Sequence, residues 1–233
     1  MKISQRFLKE ICTQFAKAER EKEIDKILKA HKIFHKEKNW RNYGDLPNNF
    51  GTIGNQQSDA TSALTEKIVN SIDAVLMAEA KKRNIDPESK NAPDSMEKAV
   101  EKFFDVKNGD IAHLTSREQT KLAQNIKLIA TGLKTRPTYI IYDKGEGQKP
   151  EDFPGTILSL HKSNKDKILF VQGRFNMGGT GAIPFCGNKN YQFVLSKKHP
   201  KISEDENYWG FTLVRRRRPK EGEKSSVYEY FAP

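Results

Sequence analysis

The chain has 233 residues, enough for one large domain or for one domain with an appendage. Its 41 Lys and Arg against 30 Asp and Glu leave a formal charge of +11, which suits nucleic acid, a phosphorylated ligand or an acidic partner without choosing among them. Two cysteines far apart, Cys12 and Cys186, exclude a disulfide framework and a CxxC metal site and fit a reducing cytoplasm, and no apolar stretch approaches the ~20 residues of a membrane helix.

The start, MKISQRFLKE, lacks the apolar block of a signal peptide. In residues 2–38, Ile3, Phe7, Leu8, Ile11 and Phe15 recur at helical spacing, and Ile24, Ile27, Leu28 and Ile33 continue after a charged stretch. This predicts two amphipathic helices or one broken helix, an N-terminal extension over 1–41. Its apolar stripe serves ordinary packing or, as the sharper alternative, a partner chain. Residues 42–59, rich in Gly, Asn and Pro, read as a loop. Ser58 or Asp59 caps the next helix, which runs to about Arg83. Residues 84–95 read as a loop, and 95–107 and 115–133 as helices. PTYIIYD (137–143) is a strand, the stretch after it a short helix and a loop, and ILFVQ (168–172) a strand candidate. GRFNMGGTGAIPFCG is glycine-rich. YQFVLS, YWGFTLVRR and SVYEYF give three C-terminal strands, the last two joined by the hairpin loop RRPKEGEKSS. Helices followed by a run of strands predict an α+β fold, with helices packed on one face of a mainly antiparallel sheet.

The helix LTEKIVNSIDAVL (64–76) carries chemistry. At ~100° per residue, Glu66, Asn70 and Asp73 fall within an arc of roughly 60°. Leu64, Ile68, Ile72, Val75 and Leu76 occupy a different arc. The polar face is either solvated or lines a site. A glutamate there can polarise a water as a general base. An asparagine offers a neutral oxygen to Mg²⁺, a hard cation that prefers oxygen ligands. An aspartate can hold a water or a neighbouring backbone group. Carboxylates repel a bare triphosphate, so a metal between them and the phosphates is the sensible arrangement.

GRFNMGGT (173–180) has the spacing of a phosphate-binding P-loop, but Gly179 stands where that loop needs a lysine. The order also argues against it, since YIIYD precedes the loop. Gly173, Gly178, Gly179 and Gly181 nevertheless permit close approach and unusual dihedrals, and successive N–H groups there can turn around an anion. A plain flexible loop is the alternative.

Three stretches now stand in order: E-x-x-x-N-x-x-D-A at 66–74, D-x-G-x-G at 143–147, and the glycine-rich 173–181. Together they resemble the GHKL ATPase superfamily, whose name covers gyrase, the heat-shock chaperone, histidine kinases and MutL. EKIVNSIDA is similar to the MutL, gyrase and MORC form of the helix, and LHKSNKDKI (160–168) to the segment ahead of the lid in MutL-like members. The resemblance implies a two-layer Bergerat-type sandwich over 42–233, with ATP and Mg²⁺ as ligands. It implies that Glu66 activates the hydrolytic water, that Asn70 ligates Mg²⁺, and that Asp73 supports the pocket. Asp143 would accept from the adenine amino group, with Gly145 and Gly147 letting the backbone pass close to the nucleotide. Gly178, Gly179 and Gly181 would belong to the ATP lid, and Lys165 is a weaker phosphate contact. ATP-gated lid closure would promote a homodimer. The family's later Thr-containing strand has Thr212 as its one obvious counterpart, and the expectation is that the chain is the N-terminal part of a longer protein.

The rival class is a non-catalytic module, either a nucleotide sensor without hydrolysis or a basic surface for nucleic acid. Arg215–Arg218 is the feature that invites the second. If these arginines end a strand, alternate side chains face opposite ways and only part could follow one backbone.

Overall fold

The computed structural model describes residues 3–160, 166–173, 178–203 and 208–233. Helices α1 (Gln5–Lys17) and α2 (Glu21–Ala30) come first, and the Ser4 side chain caps α1 by accepting from the Phe7 N–H. A short strand β1 (Trp40–Asn42) and the helix α3 (Asn49–Gly54) lead to α4 (Ala60–Lys82). Asp59 starts α4 by accepting from the Ser62 N–H at 2.9 Å. Helix α5 (Met96–Phe104) is capped by Ser95 and stops at Asp105, whose φ of 57° is left-handed. Helix α6 (Ser116–Ala123) opens on a reciprocal box between Thr115 and Glu118. The strands β2 (Ile126–Leu133) and β3 (Arg136–Asp143), the short helix α7 (Gly178–Gly181), and the strands β4 (Gln192–Ser196), β5 (Gly210–Arg217) and β6 (Val227–Phe231) complete the order.

The fold is α+β with antiparallel sheets. The larger sheet runs β1-β6-β5-β4, and β2 and β3 form a separate two-stranded hairpin. Its register runs from Ile126 opposite Asp143 to Leu133 opposite Arg136. Neighbouring residues on a strand face opposite ways, so Leu213 and Phe231 join α1, α2 and Trp40 in one core. Val214, Tyr228 and Tyr230 join Tyr43, Ile53, Leu158 and Ile183 in another. The apolar stripe of the N-terminal helices therefore covers the chain's own sheet, and the boundary expected at 41/42 falls inside β1. A third core lies between α4 and α5, where Ile168, Phe170 and Val171 pack on Leu76, Met77 and Phe103.

One buried amide joins α3 to the sheet. Asn49 donates to the carbonyls of Tyr43 and Tyr228 and accepts from the Tyr228 N–H at 2.8 Å. A wholly buried Asn needs partners on both ends of its amide, and this one has them.

Three expected elements differ. The helix expected over 115–133 ends at Ala123, and its second half is β2. Ile126, Ile129 and Leu133 recur at the i, i+3, i+7 spacing of a helix, and pairing with β3 overrides that signal. ILFVQ is not a strand. It is an irregular segment in which Ile168, Phe170 and Val171 are buried while Leu169 points out, so core burial rather than strand pairing accounts for its apolar content. The expected loop over 42–59 contains α3, held in place by Asn49.

Candidate functional site

Helix α4 carries the first sequence motif, and the described parts of the other two pack against it. Its buried side, with Val75, Leu76, Met77, Ala78 and Ala80, faces the core. The residues that the sequence singled out lie along it in successive turns, each against a different segment.

At the first level, the Gln57 side-chain amide donates to Glu66 Oε2. The neighbouring Gln56 accepts from the Thr180 hydroxyl. Thr180 is fully buried in α7, so α7, which holds Gly178, Gly179 and Gly181, packs against α4 close to Glu66.

At the second level, Asp73 is wholly buried. The Gln172 N–H donates to its Oδ1 at 3.0 Å and the Gly173 N–H to its Oδ2 at 2.8 Å. The aspartate thus binds the backbone that opens the glycine-rich segment, one of the two tasks expected of it from sequence. A Cβ on residue 173 would stand 2.8 Å from both Asn70 Oδ1 and Asp73 Oδ2. A side chain at 173 would therefore have to displace one of these two oxygens.

At the third level, the Asp143 turn lands on the next residue of α4. The Glu146 N–H donates to the Ala74 carbonyl at 3.0 Å, and the Gly145 N–H closes back on Asp143 Oδ1 at 2.9 Å. Gly147 has φ +61°, and a Cβ there would come within 1.8 Å of the Lys197 carbonyl oxygen. The turn's glycines are thus required by the protein's own packing, a demand additional to the one expected from sequence. Glu146 anchors the turn through Lys81 at 2.5 Å and Lys198 at 3.3 Å. Burial pushes its carboxyl up, but the two lysines outweigh burial and hold it below the usual carboxylate range.

From Glu66 to Ala74, α4 rises by ~12 Å at ~1.5 Å per residue. Beside Glu66 sits Lys67, half-buried, whose ammonium burial lowers to about 8, with Cys186 and Glu66 pulling the other way. Burial in turn pushes the Cys186 thiol up.

The structure therefore brings Glu66, Asn70, Asp73, Asp143, Gly145, Gly147 and Gly181 to one helix and its immediate neighbours. Lys165 lies outside the described residues. Thr212 stands apart: it is buried in β5 and donates to the Phe231 carbonyl at 2.8 Å, a bond within the sheet. The arginine run is largely engaged by the chain itself. Arg215 stacks over Trp40 at 3.5 Å and pairs with Glu229, Arg217 pairs with Glu229 and Glu223, and Arg216 donates to the Asn188 carbonyl. Arg215 and Arg217 share a side of β5, as the two-residue period requires.

Gln56 and Gln57 were not visible in the sequence. Two amides in an irregular segment carry no periodicity and match no spacing. No protein-family model matches the chain, and no curated protein and no solved structure matches it either.

Proposed function

We propose that the chain binds ATP with Mg²⁺ along the polar side of α4 and hydrolyses it. One observation carries this reading. Two stretches remote in sequence, the 143–147 turn and the glycine-rich stretch as described at 173 and 178–181, both pack against the helix that carries Glu66, Asn70 and Asp73. Glu66 and the Asp143 turn lie at opposite ends of its 66–74 portion, a separation suited to the two ends of one nucleotide. The reading also draws on the resemblance of these motifs to the GHKL ATPases.

In this reading Glu66 takes a proton from the attacking water. Asp143, at the other end, accepts from the exocyclic amino group of adenine. The backbone N–H groups around Gly178, Gly179 and Gly181 donate to phosphate oxygens. Asp73 holds the backbone at 172–173 and so fixes where that segment begins.

The residues present fit a magnesium ion. Mg²⁺ takes one or two protein oxygens and completes its shell from phosphates and water, and the half-buried Asn70, one turn along α4 from Glu66, offers one neutral amide oxygen. Asn70 would hold the ion, since both Asp73 oxygens already accept backbone N–H bonds. When bound, the ion neutralises charge on the phosphates.

Closure of the glycine-rich segment over the phosphates would create a contact surface for a second copy, with hydrolysis as the reset. Light scattering with and without a non-hydrolysable analogue tests that step. The account expects a larger mass with the analogue, and an unchanged mass removes the dimerisation step. A nucleic-acid role finds less support, since Arg215, Arg216 and Arg217 are engaged within the chain.

The experiment for the reaction is Glu66→Ala. Loss of a general base lowers turnover by roughly 100-fold or more, while ATP binding persists. Equal turnover in the variant removes Glu66 from its role.

A further inference from the structure

We propose that Gln56 and Gln57 form a positioning pair that couples the Glu66 carboxylate to the glycine-rich helix α7. The inference rests on the reading of Glu66 as the base.

Two consecutive side chains reach two different elements. Gln57 donates its amide to Glu66 Oε2, and Gln56 accepts from the Thr180 hydroxyl. The stem of Gln57 also lies against α7, for a Cβ on residue 181 would stand 2.5 Å from Gln57 Cγ. Gln57 therefore touches Glu66 through its amide and α7 through its methylenes. Neither glutamine caps α4, because Asp59 does that.

A carboxylate on a flexible side chain samples several rotamers. An amide donor on Oε2 selects among them, which leaves Oε1 as the oxygen to take a proton from water. A hydrogen bond to a charged group is stronger than one between neutral groups and is enough to fix a rotamer. The Gln56 end sets where Gln57 stands, because the two residues share a peptide unit and Thr180 holds the first of them. A shift of α7 is thereby transmitted to the base.

The junction has a further property. The Gln56 Nε2 atom is buried and has no acceptor among the described residues. A buried donor without an acceptor carries an uncompensated desolvation cost. A phosphate oxygen arriving beside Glu66 is an acceptor of the right chemistry, and its arrival would relieve that cost in the state where Glu66 must act.

The test is steady-state ATP hydrolysis by the full chain with Mg²⁺. Gln57→Ala should lower kcat roughly tenfold, the loss of one charge-assisted hydrogen bond, with KM for ATP within about twofold of the original. Gln57→Asn keeps an amide but withdraws it by one methylene, and should lose kcat by the same factor. Gln56→Leu and Thr180→Val remove one bond from its two ends, so each should lower kcat and the double variant should be no slower than the slower single. A purely structural role would raise KM in step with the loss of kcat, and that result overturns the pair. So does a Gln57→Ala enzyme with unchanged kcat, or a fully additive Gln56/Thr180 double variant. Absence of turnover in the unmodified chain also overturns it, but through the reading of Glu66 itself, so the two failures are distinguishable.

Discussion

At the residue scale, the polar side of α4 does two different jobs. Glu66 and Asn70 are half-buried, whereas Asp73 is sealed. Asp73→Asn replaces one of the two acceptor oxygens by an NH₂ group that faces an N–H donor, while the other oxygen keeps its bond. The expected loss is about 2–3 kcal/mol in urea unfolding, and an unchanged midpoint would contradict the bonds to Gln172 and Gly173. Lys67 gives a prediction with a sign in pH. Its folded value of about 8 lies below the ~10.4 of an unfolded lysine. The unfolded chain thus binds more protons between these values, and stability rises as pH climbs through that window. Lys67→Met should remove this rise and be more stable than the parent at neutral pH. Parallel pH dependence in both proteins would show that Lys67 carries no such penalty. Glu66, Asn70 and Asp73 were legible because a helix puts residues three and four apart on one side. Gln57 was not, because its contact spans an irregular turn and obeys no period.

At the element scale, α4 was legible from its cap to its end, since Asp59 and the apolar stripe mark it locally. The strand β2 was not. Its Ile126, Ile129 and Leu133 recur at helical spacing, and the deciding contacts come from β3, which the chain reaches only after a turn. Those two strands form a hairpin with little cover: Leu128, Ile129, Leu133, Tyr139, Ile140 and Tyr142 are all exposed. An isolated two-stranded hairpin is marginally stable, whereas β6 is buried along its whole length. Amide hydrogen exchange should therefore be faster in peptides covering 126–141 than in those covering 210–217 and 227–231. Equal protection would mean that the hairpin is covered. Asn49 ties α3 to β6, and its removal tests the joint. Asn49→Ala strands a buried N–H and two buried carbonyls, with an expected cost of about 2–3 kcal/mol.

At the scale of the whole molecule, the α+β class followed from the order of helices and strands, but the assignment of faces did not. The N-terminal helices read as an extension because they form a charged, amphipathic stretch set off from the rest by the Gly- and Asn-rich loop that follows. In the structure, Ile11, Phe15, Ile24, Ile27 and Leu28 complete a core with Trp40, Leu213 and Phe231. Deleting residues 1–30 should therefore cost the soluble, cooperative fold rather than trim an appendage. Circular dichroism of the shortened chain checks this, and an unchanged melting curve would refute it. The resemblance implied roles for the three motifs around one nucleotide, and the functional proposal stands on the packing of the Asp143 turn and of 172–173 against α4. Isothermal titration of the full chain with ATP and Mg²⁺, beside Asp143→Asn and with GTP as the comparison, addresses it most directly. The account predicts saturable one-to-one binding of ATP in preference to GTP, weakened in the variant. No heat of binding, or equal affinity for both nucleotides in both proteins, would contradict it.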